Sequence, residues 1–158
     1  MSFTNDKDTD NYSTNKAGWE SIKEYIPNDK IIWAPFYNDG KQKEYFKEMG
    51  FNIIHEDEDF FLNNKGEIVI DNPPFSKRAL CLKRLKELGK PFILVLPSGM
   101  ITNKWFCTLF KNEIQIIIPK DRPTFTHLNN GKTKYTPPLG TYYYCWKMNL
   151  EKDIIWLN

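Results

Sequence analysis

Five short apolar runs punctuate the chain: Ile31-Ile32-Trp33, Phe51 to Ile54, Ile68-Val69-Ile70, Phe92 to Leu96 and Ile114 to Ile118. They are continuous rather than alternating, the pattern of strands covered on both faces. Proline follows four of them closely, as Pro35, Pro73, Pro97 and Pro119. Because proline has no N–H to give to a ladder, each marks where a strand stops and a loop begins. Between the runs the period becomes helical. Lys41 to Met49 places Tyr45, Phe46 and Met49 on one face and ends at Gly50. Ala79, Leu82, Leu85 and Leu88 recur at helical spacing, with Gly89 as the stop and Pro91 beyond it. Further helices are expected over Lys16 to Tyr25, carrying Trp19 and Ile22, and over Thr102 to Phe110. Strands alternating with helices predict an α/β fold, a mostly parallel sheet with helices on both faces.

The last third reads differently. Tyr142 to Trp146 has strand character, but the polar stretch Asp121 to Gly140 separates it from Ile114 to Ile118 without a helical pattern. This last strand is therefore expected to return antiparallel. The length, 158 residues, suits one domain. The expectation is a single domain over residues 11–158, with residues 1–10 disordered.

Composition narrows the class. Hydrophobic residues at 41% and charged residues at 27% exclude a disordered chain. No run approaches the roughly 18 apolar residues of a membrane span, and Met1 to Asp10 is polar and acidic rather than signal-like. A cytoplasmic protein without a membrane partner is expected. Cys81, Cys107 and Cys145 are widely spaced, with no Cys-x-x-Cys pair, and read as reduced core thiols. A net charge of +2 does not by itself identify a polyanion partner. Aromatic residues, at 15%, fill a small core or supply surfaces for base stacking.

Open parallel sheets bind ligands beyond the carboxyl ends of their strands, so the loops after the apolar runs carry the candidate chemistry. After the third run comes Asp71-Asn72-Pro73-Pro74-Phe75-Ser76. An exocyclic amino group on a purine is a poor nucleophile because its lone pair is delocalised into the ring. A catalyst for it must accept hydrogen bonds from both amino protons. The Asn72 side-chain oxygen can accept one, and the Pro73 carbonyl, aimed by two successive prolines, the other. Phe75 can stack on an extruded base. The plainer alternative is an Asx turn that closes a strand.

Asn72-Pro73-Pro74-Phe75 resembles the catalytic motif of amino-group methyltransferases, including those acting on adenine N6 in DNA. The resemblance runs over about Asp10 to Met148 and is closest to the small adenine methyltransferases of phages and large DNA viruses. It implies a Rossmann-like class I fold with S-adenosyl-L-methionine as cofactor. It also implies cofactor contacts from Tyr12 and Thr14 within Asn11-Tyr12-Ser13-Thr14, from Pro35, Phe36, Tyr37, Asp39 and Gly40 after the first strand, and from Asn72 itself. Asp59 and Phe60 would flank the cofactor's adenine. The first loop departs from the family pattern, which has an acid where Ala34 stands and glycine where Asn38 stands. Asn38 tolerates the left-handed conformation that the glycine would supply, and Asp39 offers a nearby carboxylate.

His55-Glu56-Asp57-Glu58-Asp59 follows the second run. An acid at this strand end accepts hydrogen bonds from ribose hydroxyls, which favours Asp57 with Glu56 as the alternative; a solvated acidic loop is the plain reading. His55 reads as packed or solvent-facing. Lys77 and Arg78 sit beside the motif, where phosphates flanking an extruded nucleotide would pass. Lys120 and Arg122 belong to a second basic group with Lys132 and Lys134, in the stretch that would read sequence or else form a plain loop.

The expected reaction is direct methyl transfer to adenine N6 in DNA, without a metal. RNA adenine, cytosine N4, protein glutamine and a catalytically silent binding module stand as alternatives. No separate target-recognition domain is expected within 158 residues. Sequence preference would then come from the stretch after Arg122, a partner subunit or a second copy.

Overall fold

A computed structural model of the chain describes residues 12–121, 125–127, 134–135 and 140–158. In chain order the elements are β1 (Tyr12–Thr14), α1 (Lys16–Glu20), β2 (Ile31–Trp33), α2 (Lys41–Glu48), β3 (Asn52–Ile54), β4 (Ile68–Asp71), α3 (Arg78–Leu88), β5 (Phe92–Pro97), α4 (Lys104–Phe110), β6 (Ile114–Ile118), β7 (Phe125–His127), β8 (Lys134–Tyr135), β9 (Thr141–Trp146) and β10 (Ile154–Trp156). Seven strands form one sheet in the order β10-β6-β9-β5-β4-β2-β3, while β1, β7 and β8 form a second, small one.

The large sheet is parallel except for β9, which lies antiparallel between β5 and β6. Two of the apolar runs are buried throughout, all of β4 and Phe92 to Leu96 of β5, whereas Ile31 of β2 is exposed and Ile54, Ile114 and Ile118 are partly so. Helices cover both faces. On one, Trp19 and Ile22 from the first helical segment and Phe46 from α2 pack against Ile32, Ile70 and Ile93 of the sheet. On the other, Leu82 and Leu85 of α3 and Phe106 and Phe110 of α4 meet Val69, Leu94 and Tyr144. The two glycine stops, Gly50 and Gly89, adopt φ of 92° and 68°. No helix among the described residues is long and apolar enough to cross a membrane.

Several boundaries differ from those expected. The first helix ends at Glu20, and a separate turn of 3-10 helix follows at Lys23–Tyr25. Ser21 Oγ donates to the Gly18 carbonyl at 2.7 Å, a local bond that competes with helix continuation. The segment at 102–110 is likewise divided: Asn103 is extended, between a 3-10 turn at Ser98–Thr102 and α4. Pro97 does not follow β5 but closes it, paired with Thr141. The final strand β10 was not foreseen. It lies parallel to β6, and the Gln115 amide secures the approach to it, donating to the Leu150 carbonyl at 2.9 Å and accepting from the Leu150 N–H at 2.8 Å.

Chain direction in the sheet reverses between β2 and β4. From β2 the chain moves outward to β3, and from β4 it moves the other way to β5. A crevice is therefore expected beyond the carboxyl ends of these two strands.

Candidate active site at the strand reversal

Four segments meet at that crevice. The loop after β2 turns through Asn38 at φ 52° and Gly40 at φ 78°, so the asparagine does take the left-handed conformation. The Tyr37 ring stacks on His55, with centroids 5.0 Å apart and planes 27° apart. Asp39 accepts from the Lys41 N–H at 3.1 Å at the start of α2. From inside α2, Gln42 Nε2 donates to the Ile70 carbonyl at 2.8 Å, holding the helix against the last turn of β4.

Asp71 closes β4 and is fully buried. One carboxylate oxygen accepts from the Phe36 N–H and the other from the Asn72 N–H, each at 2.7 Å. Burial pushes its pKa well above the ordinary carboxylate value, against the pull of those two N–H groups. Asp71 was not singled out from the sequence. The available signal was an acid that directly continues the apolar run Ile68-Val69-Ile70. Gln42 was missed as well; its position four residues before Phe46 puts it on the inward face of α2.

Thr14, Tyr37, Asp39, Gln42 and Asn72 line one small cavity of about 10 Å³. Asn72 is 7% exposed and Thr14 5%. The Asn72 Oδ1 and Thr14 Oγ1 atoms are both buried, with no hydrogen-bond partner among the described residues. A buried polar atom without a partner costs about 1–3 kcal/mol, so two around one cavity call for a ligand or water that donates to them. The same cavity thus unites β1, the loop after β2 and the start of the Asn-Pro-Pro-Phe turn.

The remaining candidates lie differently. Pro35 and Phe36 are buried, and the Phe36 ring packs on Phe60 at 5.0 Å, so only the backbone of Phe36 reaches the crevice side through Asp71. Phe60 is 1% exposed inside the core, with the Arg84 guanidinium 5.5 Å above its ring. Asp59 caps the turn at Phe60–Leu62 by accepting from the Phe61 N–H at 2.8 Å. Glu56 and Asp57 are exposed after β3 and do not line the cavity. Glu56 pairs with Lys43 at 3.1 Å, which holds its carboxyl below the ordinary value. His55 is packed, with its Nδ1 2.7 Å from the Ala34 carbonyl oxygen.

Pro73 is buried, and Pro74 and Phe75 are half-buried. Lys77 and Arg78 follow in the turn that leads into α3, and Arg78 Nη1 donates to the Phe75 carbonyl at 3.1 Å. Lys120 is exposed after β6, three strands from β4, or roughly 14 Å across the sheet. Arg122 lies outside the described residues, as do Lys132 and most of the polar stretch. Part of that stretch, β7, pairs antiparallel with β1, bringing Thr14 opposite Phe125. Tyr12 belongs to the same β1 strand, opposite His127.

No family model matches the chain, and no match is found among curated proteins or solved structures.

Proposed function

We propose that the chain is a Rossmann-like class I methyltransferase that transfers a methyl group from S-adenosyl-L-methionine to the N6 amino group of adenine in DNA. One observation carries this reading: the buried Oδ1 of Asn72, without a hydrogen-bond partner among the described residues, at the point of strand reversal and next to two prolines. An acceptor held there without a protein partner suits a substrate amino group better than it suits a turn, because an Asx turn would use that oxygen internally.

The cavity itself has room for about one water, so the acceptors on its wall would meet the cofactor's donor groups only where the crevice opens beyond it. Thr14, Tyr37, Asp39 and Asn72 would hold the cofactor, and Asn72 would share its oxygen between cofactor and substrate sides. When bound, the cofactor supplies an electrophilic methyl group on a sulfonium. The chain's own part is positioning. Asn72 Oδ1 accepts one amino proton, the Pro73 carbonyl accepts the other, and together they favour a more tetrahedral nitrogen. Phe75 stacks on the extruded base. After transfer the nitrogen is strongly acidic, and its proton leaves to solvent. Lys77 and Arg78, beside the turn, favour a nucleic acid over a protein substrate by offering cations to flanking phosphates.

The test is transfer of a labelled methyl group to unmethylated DNA and to RNA, with wild type and Asn72→Ala, reading the modified nucleoside. N6-methyladenine in DNA that the substitution abolishes supports the proposal. Label in RNA, in cytosine or in protein redirects it. No transfer, with no cofactor binding by calorimetry, overturns it.

A further inference from the structure

The Asp71 carboxylate occupies a costly position. It is fully buried at the strand reversal, and its contacts are two backbone N–H groups from different loops. The causes that shift its pKa are burial and those same two N–H groups, with no cationic side chain among them. Burying an acid without a cation is unfavourable, and a strand end needs none. What a carboxylate offers is two acceptor oxygens in one plane on a one-carbon stem. Asparagine at the same length presents one oxygen and one donor, and the donor would oppose either the Phe36 or the Asn72 N–H. Serine and threonine present one oxygen. Only Asp satisfies both loops at that reach.

The two loops are the ones that must keep register for the proposed reaction. Phe36 begins the turn through Tyr37 and Asp39 that lines the cavity, and Asn72 holds the acceptor. We infer that Asp71 is a positioning residue, a two-point clamp that fixes the Asn72 backbone, and hence its side-chain oxygen and the Pro73 carbonyl, relative to the loop after β2. The inference rests on the reading of the site as a methyltransferase centre, in which it sets the distance between the cofactor side and the amine acceptors. Gln42 reinforces the clamp from behind through the carbonyl of Ile70, one residue earlier on β4.

The experiment is amide NMR and hydrogen exchange on wild type, Asp71→Asn and Asp71→Ser, with methyl transfer measured in parallel. In wild type the Phe36 and Asn72 amides should be shifted downfield and protected from exchange. They should also move together in a pH titration, with a midpoint above the ordinary carboxylate range. His55, directly after β3 and stacked on Tyr37, and Asp39 in the loop itself also face this segment; neither accepts from the Asn72 N–H, so a response confined to Phe36 is not that of the clamp. In Asp71→Asn the shared titration should vanish, and at least one of the two amides should exchange about tenfold faster, the equivalent of one net hydrogen bond. The turnover number should fall with little change in KM for DNA, since binding groups are intact and only their register is altered.

Phe36 and Asn72 amides that titrate separately, or not at all, in wild type overturn the clamp, and that measurement needs no variant to fold. Asp71→Asn with full turnover and both amides unmoved overturns it as well. Loss of methyl transfer from wild-type protein would defeat the functional reading alone, leaving the amide signature to decide the clamp.

Discussion

His55 Nδ1 lies 2.7 Å from the carbonyl oxygen of Ala34, joining the end of β3 to the end of β2. A carbonyl only accepts, so this nitrogen carries a proton, which in the neutral ring is the Nδ1–H tautomer. Burial lowers the imidazole pKa below its usual value, against the smaller opposing pull of the Ala34 and Tyr37 backbone. In the unfolded chain the same group titrates near 6.5, roughly its ordinary value. The stabilisation is therefore fully present above about pH 6.5 and is lost as the pH falls through the lower folded value. Thermal melts from about pH 7.5 down to 5.5 should show a declining midpoint in wild type and a flatter profile in His55→Phe, which keeps the stack on Tyr37 but cannot titrate. Equal slopes in both proteins would remove His55 from the account.

The unpartnered oxygens at the cavity make stability and activity respond in opposite directions. Thr14→Val keeps the shape of the side chain and removes a buried hydroxyl that has no partner among the described residues, so its melting temperature should equal or exceed that of wild type. Its affinity for S-adenosyl-L-methionine should fall about tenfold in calorimetry, the worth of one hydrogen bond. Asn72→Ala should behave likewise in stability and lose at least about a hundredfold in turnover, as for other pre-oriented catalytic hydrogen-bonding groups. A Thr14→Val protein that is destabilised by more than about 1 kcal/mol would mean that the hydroxyl has a protein partner.

Much of this was legible in the sequence, for reasons that can be traced to particular residues. The continuous runs ending in proline revealed the central strands because burial on both faces leaves no polar alternation, and Gly50 and Gly89 marked helix ends because only a left-handed residue fits there. The motif Asn72 to Phe75 stood out because its prolines and aromatic ring are rare together. Other features carry no local signal. Strand β10 is only Ile154-Ile155-Trp156, and what recruits it is the Gln115 amide 35 residues away from Leu150. The role of Asp71 depends on Phe36, also 35 residues distant, so no window of sequence contains it. Phe60 was expected, from the family resemblance, to flank a cofactor's adenine, and it lies in the core. Its orientation was not legible, because whether a ring faces a crevice or the core is decided by partners such as Phe36 and Arg84.

Gly40 should resist substitution. Its φ is 78°, and a Cβ there would lie 2.6 Å from Tyr37 Oη and 2.8 Å from its Cζ. Alanine in that conformation costs about 1–2 kcal/mol before any contact is counted, and the tyrosine ring must also leave its place on His55. Gly40→Ala should therefore lower the melting temperature by several degrees. In a Tyr37→Ala background the same change should cost clearly less, because only the backbone penalty remains. Additive effects in the double variant would show that the ring contact carries no energy.

Lys77 and Arg78 can be separated by salt. Lys77 ends the turn that begins at Phe75 and Arg78 opens α3, but the Arg78 side chain also donates to the Phe75 carbonyl while the Lys77 side chain has no such bond to the turn among the described residues. Each phosphate contact releases about one counterion, so removing one should reduce the magnitude of the slope of log affinity against log salt by about 1. Lys77→Gln should show that reduction for duplex DNA in anisotropy titrations at several salt concentrations. Arg78→Gln should show the same change in slope and a loss of turnover as well, because Phe75 and the Pro73 carbonyl lose a support. If both slopes match wild type, the phosphates do not pass this side of the turn, and the exposed Lys120, on the far side of β5 and β9, becomes the cation to test next.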